Sequence, residues 1–301
     1  MRIFLTGATG NVGEAVGPVL LDQGHSLAVL VREPREIRGC SVVGGAIERI
    51  DRVAGEIAAC DAIVHLARPR HADPSVAQDQ DISGTGGLIE AWRKGVFLYA
   101  SSSSVYGYAF RVLDERTRVA VWSPRALSKY ANEMQLRFAE RTGGRGGAVI
   151  LRPALILTTN PVRRRPHLLA AVYDKCRRGS RFVFESEQGL GAYGCTFIGG
   201  ADFGRAVAAA LTLDLSGIYN IGGGFFTWRE LVETFNRVAG TKADCVVKAG
   251  GRLQAGEYQL PQSRSELDTA PFTKATSFAA QESITELVEA FVRAERTSAP
   301  A

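Results

Sequence analysis

No two cysteines in this 301-residue chain stand in CxxC spacing. The five present, Cys40, Cys60, Cys176, Cys195 and Cys245, are isolated and odd in number. That argues against a disulfide framework or a thiolate metal site and for reduced thiols in a cytosolic protein. His71 and His167 lack metal-ligand spacing, so no metal is expected. No apolar run reaches the roughly 18–20 residues that span a bilayer. The first residues enter an apolar run at once, without the charged-then-apolar order of a secretory leader. The expectation is a soluble, cytoplasmic protein with no membrane partner. Long runs of one charge are missing too. Lys and Arg number 36 against 31 Asp and Glu, a net charge of +5, and the densest basic run is Arg163, Arg164 and Arg165. That patch is too short for nucleic acid, whereas a small anionic substrate suits the balance.

What is present is an ordinary globular mixture, 46% hydrophobic and 22% charged. The chain is long enough for one large domain carrying a smaller lobe. Short apolar runs at residues 3–5, 27–31, 41–43, 62–66, 96–100 and 148–151 alternate with helical spacing, for example over 12–23 and 88–93. Parallel strands covered by helices on both faces read as continuous apolar runs. The pattern predicts an α/β fold, a doubly wound parallel Rossmann sheet with right-handed crossovers.

After about residue 155 the rhythm changes. Residues 158–166 read as a loop, 168–178, 202–213 and 228–239 as helices, 181–184 as an apolar run and 217–221 as a strand. The last helix, 284–296, puts Leu287, Val288, Phe291 and Val292 on one face. The expected division is a dinucleotide-binding Rossmann domain over 1–155, with a later contribution from about 196–222. A smaller α/β substrate-binding lobe takes 156–195 and 223–301. No internal repeat or low-complexity segment is evident.

The first apolar run leads into Thr6-Gly7-Ala8-Thr9-Gly10-Asn11-Val12-Gly13. Gly7 permits the tight turn, Gly10 lets backbone approach a phosphate, and Gly13 allows close helix–strand packing. Free N–H groups and the positive dipole end of the following helix face the anion. A glycine turn between a strand and a helix marks a dinucleotide pyrophosphate site, formed by Gly7, Thr9, Gly10, Asn11, Val12 and Gly13. Binders of NAD place a carboxylate at the end of the second strand. Here Val31 stands there, followed by Arg32. With no carboxylate to repel it, a 2′-phosphate can pair with Arg32, so the expected cofactor is NADP in preference to NAD. The plainer alternative makes Arg32 a solvated loop residue.

The TGxxGxxG spacing resembles the extended short-chain dehydrogenase/reductase family, the NAD-dependent sugar epimerases and dehydratases. The resemblance covers nearly the whole chain. Asp61-Ala62-Ile63-Val64-His65-Leu66-Ala67 is similar to the family's fourth strand, and Ser101-Ser102-Ser103-Ser104-Val105-Tyr106-Gly107 to its SS-x-x-VYG motif. Leu151-Arg152-Pro153, Tyr219-Asn220-Ile221-Gly222-Gly223-Gly224 and Leu267-Asp268-Thr269 resemble later family segments. The resemblance implies that Leu66, Ala67 and Arg68 lie along the cofactor. It puts Ser102 at the catalytic Ser/Thr position and Lys129, in Leu127-Ser128-Lys129, at the lysine that binds the nicotinamide ribose. Ser103, Tyr106 and Arg163 are expected at the substrate, although Arg163 to Arg165 also suit a solvated loop. A homodimer built through two helices per subunit is expected from the same likeness.

The likeness breaks at the reaction centre. Redox members pair the lysine with a tyrosine four residues earlier, which exchanges the proton while hydride moves. Arg125 stands there, and an arginine keeps its proton near neutrality. Its guanidinium suits a carboxylate, a phosphate or a developing oxyanion instead. Tyr130 follows the lysine and points roughly 100° away from it on a helix. His65 reads as a packed strand-end residue. Further departures from the family pattern are Arg68, Gly45, Asp81 in place of an asparagine, and Ile198-Gly199-Gly200-Ala201-Asp202 in place of VHVDD.

The leading expectation is an NAD(P)-binding oxidoreductase, epimerase or dehydratase acting on a nucleotide sugar or similar anionic metabolite, with Ser102, Lys129 and Arg125 in a non-standard active site. A second is a non-redox lyase, cyclase or isomerase that uses Arg125 as an anion clamp. A third is a catalytically silent dinucleotide-binding protein.

Overall fold

The structure, a computed structural model, describes residues 1–33, 35–69, 71–143, 146–159 and 168–298. Seven parallel strands form the main sheet, in the order Gly217–Ile221, Ala148–Pro153, Val96–Ala100, Ala62–His65, Arg2–Thr6, Ser26–Val31 and Cys40–Gly44. Each apolar run of the first half is one of these strands, and every adjacent pair is parallel. The chain builds outward from Arg2–Thr6 in one direction, then returns and builds outward on the other side. The order therefore reverses between Arg2–Thr6 and Ala62–His65, and such a switch point leaves a crevice at the carboxyl ends of the strands. Thr6 pairs with His65, and His65 with Tyr99, across that end of the sheet.

Alternate residues of each strand serve opposite faces. Ile3, Leu5, Val29, Val64, Leu98 and Val149 pack under the helices Asn11–Asp22 and Gly200–Thr212. Phe4, Leu30, Ile63, Phe97, Tyr99 and Ile150 pack under Pro74–Ala91 and Pro124–Gly143. Burial on both faces explains why the strands read as unbroken apolar runs. The helix Pro74–Ala91 is much longer than the segment 88–93 that helical spacing marks. Gln, Asp, Ser and Gly fill its first turns and hide the period. Its start is nevertheless written locally: Pro74 takes the first turn, and Asp73 caps the helix by accepting from the Ser75 N–H at 2.8 Å.

The second half supplies two smaller sheets. In one, Gly194–Gly199 lies between Gly224–Thr227 and Arg264–Leu267, with Leu155–Leu157 also paired to it. In the other, Arg181–Phe184 is central, between Asp244–Val247 and Glu257–Tyr258. The helices Leu168–Arg177, Trp228–Ala239 and Ile284–Ser298 cover a separate core around Phe182, Phe235 and Phe291. Leu287, Val288, Phe291 and Val292 are all buried, so the expected face of the last helix is its packed face. Among the described residues, no helix is long and apolar enough to cross a membrane.

Candidate active site

The glycine turn occupies the crevice at the switch point. Gly7 has φ +77°, and a Cβ there would lie 2.6 Å from the backbone N of Ala67 on the next strand's loop. Gly13 packs its helix onto the turn, where a Cβ would come within 2.1 Å of the Gly7 carbonyl oxygen. Gly10 is the N-cap of Asn11–Asp22, extended at φ −87° and ψ 163°, with no side chain to cap the helix. The first-turn N–H groups are thus left for an outside acceptor, which suits an anion. Leu66 and Ala67 are half-buried beside the turn.

Beneath it runs a hydrogen-bonded line of five residues. Thr85 gives its hydroxyl hydrogen to the Asp81 carbonyl at 2.7 Å, so it accepts from His65 Nε2 at 3.0 Å. His65 Nδ1 then accepts from the Thr6 hydroxyl at 2.7 Å, and Thr6 Oγ1 accepts from the Ala67 N–H at 3.2 Å. Both ring nitrogens are therefore used by a neutral imidazole. Burial holds the His65 pKa well below its ordinary value, and the charge of Lys129 adds to the effect. His65 is a fastening of the turn rather than an acid or base.

Lys129 comes from the second turn of Pro124–Gly143 and is buried. Its Nζ donates to the Ala100 carbonyl at 2.7 Å and stands 4.6 Å from the centre of the Tyr99 ring. Its pKa is lowered to about 8, first by burial; Arg125 and Arg68 lower it further, while Asp81 and Glu133 oppose them. Arg125 is one turn earlier on the same helix, Arg68 follows the Ala62–His65 strand, and both are exposed. Ser102 is buried at the end of Val96–Ala100, and its Oγ accepts from the Ser104 N–H at 3.2 Å. Ser103 is half-buried beside it.

The floor is an ion pair that the sequence did not single out. Arg152 donates to both oxygens of Glu133, at 3.0 and 2.5 Å, and Ser101 donates to the same carboxylate. Arg152 also donates to the Tyr106 hydroxyl at 3.0 Å, and that hydroxyl donates to Asn220 Oδ1 at 2.7 Å. Tyr106, expected at the substrate, is buried, and its hydroxyl is hydrogen-bonded on both sides. The signal that could have found the pair was an arginine inside an apolar strand and a glutamate one turn after Lys129. Arg32 is exposed at the end of Ser26–Val31 and ion-paired to Glu48 at 3.1 Å. Glu48 was also missed, because it arrives from the segment after the third strand. Arg163 lies outside the described residues.

Residues 3–222 match the model of the NAD dependent epimerase/dehydratase family. The chain belongs to this family. Among solved structures, it is similar to a UDP-glucose-4-epimerase from Stenotrophomonas maltophila with bound NAD and formylated UDP-arabinopyranose. That likeness has TM-score 0.83 and 18% identity over 99% of this chain and 98% of that one. It is also similar to a dTDP-glucose 4,6-dehydratase from Bacillus anthracis in complex with NAD, at TM-score 0.79 and 18% identity over 99% and 97% of the two chains. At such identities the likeness establishes the fold. A Synechocystis photosystem II assembly factor, Ycf39, is 29% identical over 99 residues, 31% of this chain and 30% of that protein. The match thus spans under a third of that curated relative. The open helix N-terminus and the close approach at Gly7 fit the dinucleotide that family membership implies, NAD or NADP.

Proposed function

We propose that this family member is an NAD(P)-dependent oxidoreductase, epimerase or dehydratase acting on a nucleotide sugar or similar anionic metabolite, through a site rebuilt around Arg125. The observation that carries the reading is the buried Lys129, whose Nζ donates to the Ala100 carbonyl at the end of Val96–Ala100, one helical turn from the exposed Arg125. Guanidinium groups bind carboxylate and phosphate through paired hydrogen bonds. Gly7, Thr9, Gly10, Asn11, Val12 and Gly13 would hold the pyrophosphate, Leu66, Ala67 and Arg68 would line the dinucleotide, and Lys129 would meet the nicotinamide ribose. Ser102 and Ser103 would face the substrate, and Arg163 is proposed as a further substrate-binding residue. The substrate sits between the Rossmann unit, residues 1–155 with 196–222, and the lobe of 156–195 and 223–301.

Bound NAD(P) supplies a hydride donor or acceptor at its nicotinamide ring. The chain's own task is the proton. Arg125 cannot exchange one, and the hydroxyls of Tyr99 and Tyr106 are buried in hydrogen bonds with pKa values raised by burial. Lys129 remains: as the neutral amine it takes an alcohol proton, and as the ammonium ion it returns one. Ser102 orients the substrate oxygen, and Arg125 holds the anionic part.

The test is turnover of purified protein with NAD(P) and a panel of nucleotide sugars, read by absorbance at 340 nm and by product analysis. A Lys129→Met variant should lose turnover, and Arg125→Ala should lose it chiefly through substrate affinity. No turnover across the panel counts against the reading. The second reading, a non-redox lyase, cyclase or isomerase, is favoured by the fixed charge of Arg125. It requires product without any change at 340 nm, and Arg125→Tyr should then not improve the rate. A gain of redox activity in Arg125→Tyr would sink it.

The dinucleotide would be NADP in preference to NAD, since no carboxylate stands at Val31. A homodimer would form through the exposed apolar side of Pro124–Gly143, where Leu127, Met134 and Phe138 are 43%, 49% and 70% exposed. Phe138→Glu should shift sedimentation from dimer to monomer. A cytoplasmic setting would keep the five cysteines, all of them free thiols, reduced.

A further inference from the structure

Asp81 is completely buried in Pro74–Ala91, at a position where the family resemblance puts an asparagine. Ser128 donates to its Oδ2 at 2.8 Å, while Oδ1 has no hydrogen-bond partner. An asparagine carbonyl would accept the Ser128 bond equally well. Burying a carboxylate there, with one oxygen open, is costly unless a nearby cation compensates it. Lys129, the residue after Ser128, is a buried cation of the same cluster.

The groups packed round Lys129 come from five elements. Its own helix contributes Arg125 and Glu133, the helix Pro74–Ala91 contributes Asp81, and the loop after Ala62–His65 contributes Arg68. Tyr99 and His65, from two adjacent strands, are uncharged: the Tyr99 hydroxyl accepts from Asn132 at 3.1 Å, and both His65 nitrogens are hydrogen-bonded. Ser128 and Asn132, which flank Lys129 on its helix, donate to the Asp81 carboxylate at 2.8 Å and to the Asp81 carbonyl at 3.4 Å, and so set Asp81 in the same buried cluster as the lysine. Glu133 is already held by Arg152 and Ser101, which leaves Asp81 as the carboxylate without a closer cation.

We propose that Asp81 is a positioning residue, the buried counter-charge of Lys129 that balances Arg125 and Arg68 on the open side of the site. Exchanging a tyrosine for Arg125 adds a cation beside a buried ammonium group. Exchanging an asparagine for Asp81 adds the anion that keeps the ammonium group protonated. The two departures from the family pattern thus offset each other in charge.

The inference rests on Lys129 as the proton-handling group only for its catalytic consequence; the charge relation itself is measurable in the full-length protein without substrate. Lysine labelled with carbon-13 gives an Nζ titration midpoint for Lys129 by NMR, the signal being assigned by its loss in Lys129→Arg. Asp81→Asn should lower the midpoint by about one unit, the size expected for losing an opposite charge. Arg125→Gln should raise it, and the double variant should lie between the two. Asp81→Ser is the second neutral replacement, since it places no amide donor where Oδ1 stands. A midpoint unchanged or raised in either folded Asp81 variant overturns the assignment. Absence of turnover with nucleotide sugars, beside the expected shifts, would overturn the proposed function and leave this relation intact.

Discussion

The Nδ1 atom of His65 lies 2.7 Å from the Thr6 hydroxyl, and Nε2 lies 3.0 Å from Thr85 Oγ1, so protonation would break a bond that fastens the dinucleotide turn. Burial holds the folded pKa of His65 well below 6.5, whereas the unfolded chain binds a proton there normally. The unfolded state therefore takes up more protons below about pH 6.5, and stability falls as the pH drops through that range. Above it, the contribution is fully present. Urea midpoints of the wild type should decline from pH 7 to pH 5 more steeply than those of His65→Gln, which keeps a donor and an acceptor. A difference between the two proteins that stays constant with pH would refute this.

Gly13→Ala tests the pyrophosphate site. Its Cβ would lie 2.1 Å from the Gly7 carbonyl oxygen, so the turn must open or the helix must slide. We expect NAD(P)H affinity, read by fluorescence titration, to fall by about two orders of magnitude, the scale of a displaced binding group. Unaltered affinity would mean that the turn does not hold the dinucleotide.

The Glu133–Arg152 pair should carry stability out of proportion to its size. Both side chains are almost wholly buried, at 1% and 3% exposure. Removing one partner leaves an uncompensated charge and costs about 3–5 kcal/mol, while replacing both by apolar residues costs much less. Glu133→Leu alone should therefore lower the unfolding midpoint strongly, and Glu133→Leu with Arg152→Met should recover part of the loss. Equal losses in single and double variants would contradict this.

Arg32 and Glu48 decide the cofactor preference if the 2′-phosphate reading holds. Their ion pair is exposed, so a phosphate can displace the carboxylate. Arg32→Ala should weaken NADPH about tenfold, one charge-assisted contact, and leave NADH unchanged. Glu48→Gln should favour NADPH. Tighter binding of NADH by the wild type would sink the preference.

Much of the main sheet was legible because its strands are buried on both faces and the reading needs only hydrophobic continuity. The strand Gly217–Ile221 was visible too, although it pairs far back in sequence with Ala148–Pro153. The first turns of Pro74–Ala91 were not, since its polar and glycine residues follow no apolar period. The glycine turn could be read because each glycine answers a local steric demand. The motif gave the position of Tyr106, but its hydrogen-bonded setting comes from Arg152 and Asn220, which meet it only in three dimensions. Asp81 was visible as a departure from the family pattern, yet its meaning depends on Lys129, a residue of another helix.

The late arrival of Gly217–Ile221 matters during synthesis. Until that segment leaves the ribosome, the backbone edge of Ala148–Pro153 has no neighbour on its outer side, and an open edge is a template for pairing with other chains. The nascent protein carries this liability for as long as the intervening lobe takes to be translated. Yield in a cell should then depend on elongation rate and chaperone supply between Pro153 and Gly217, rather than on the stability of the finished fold.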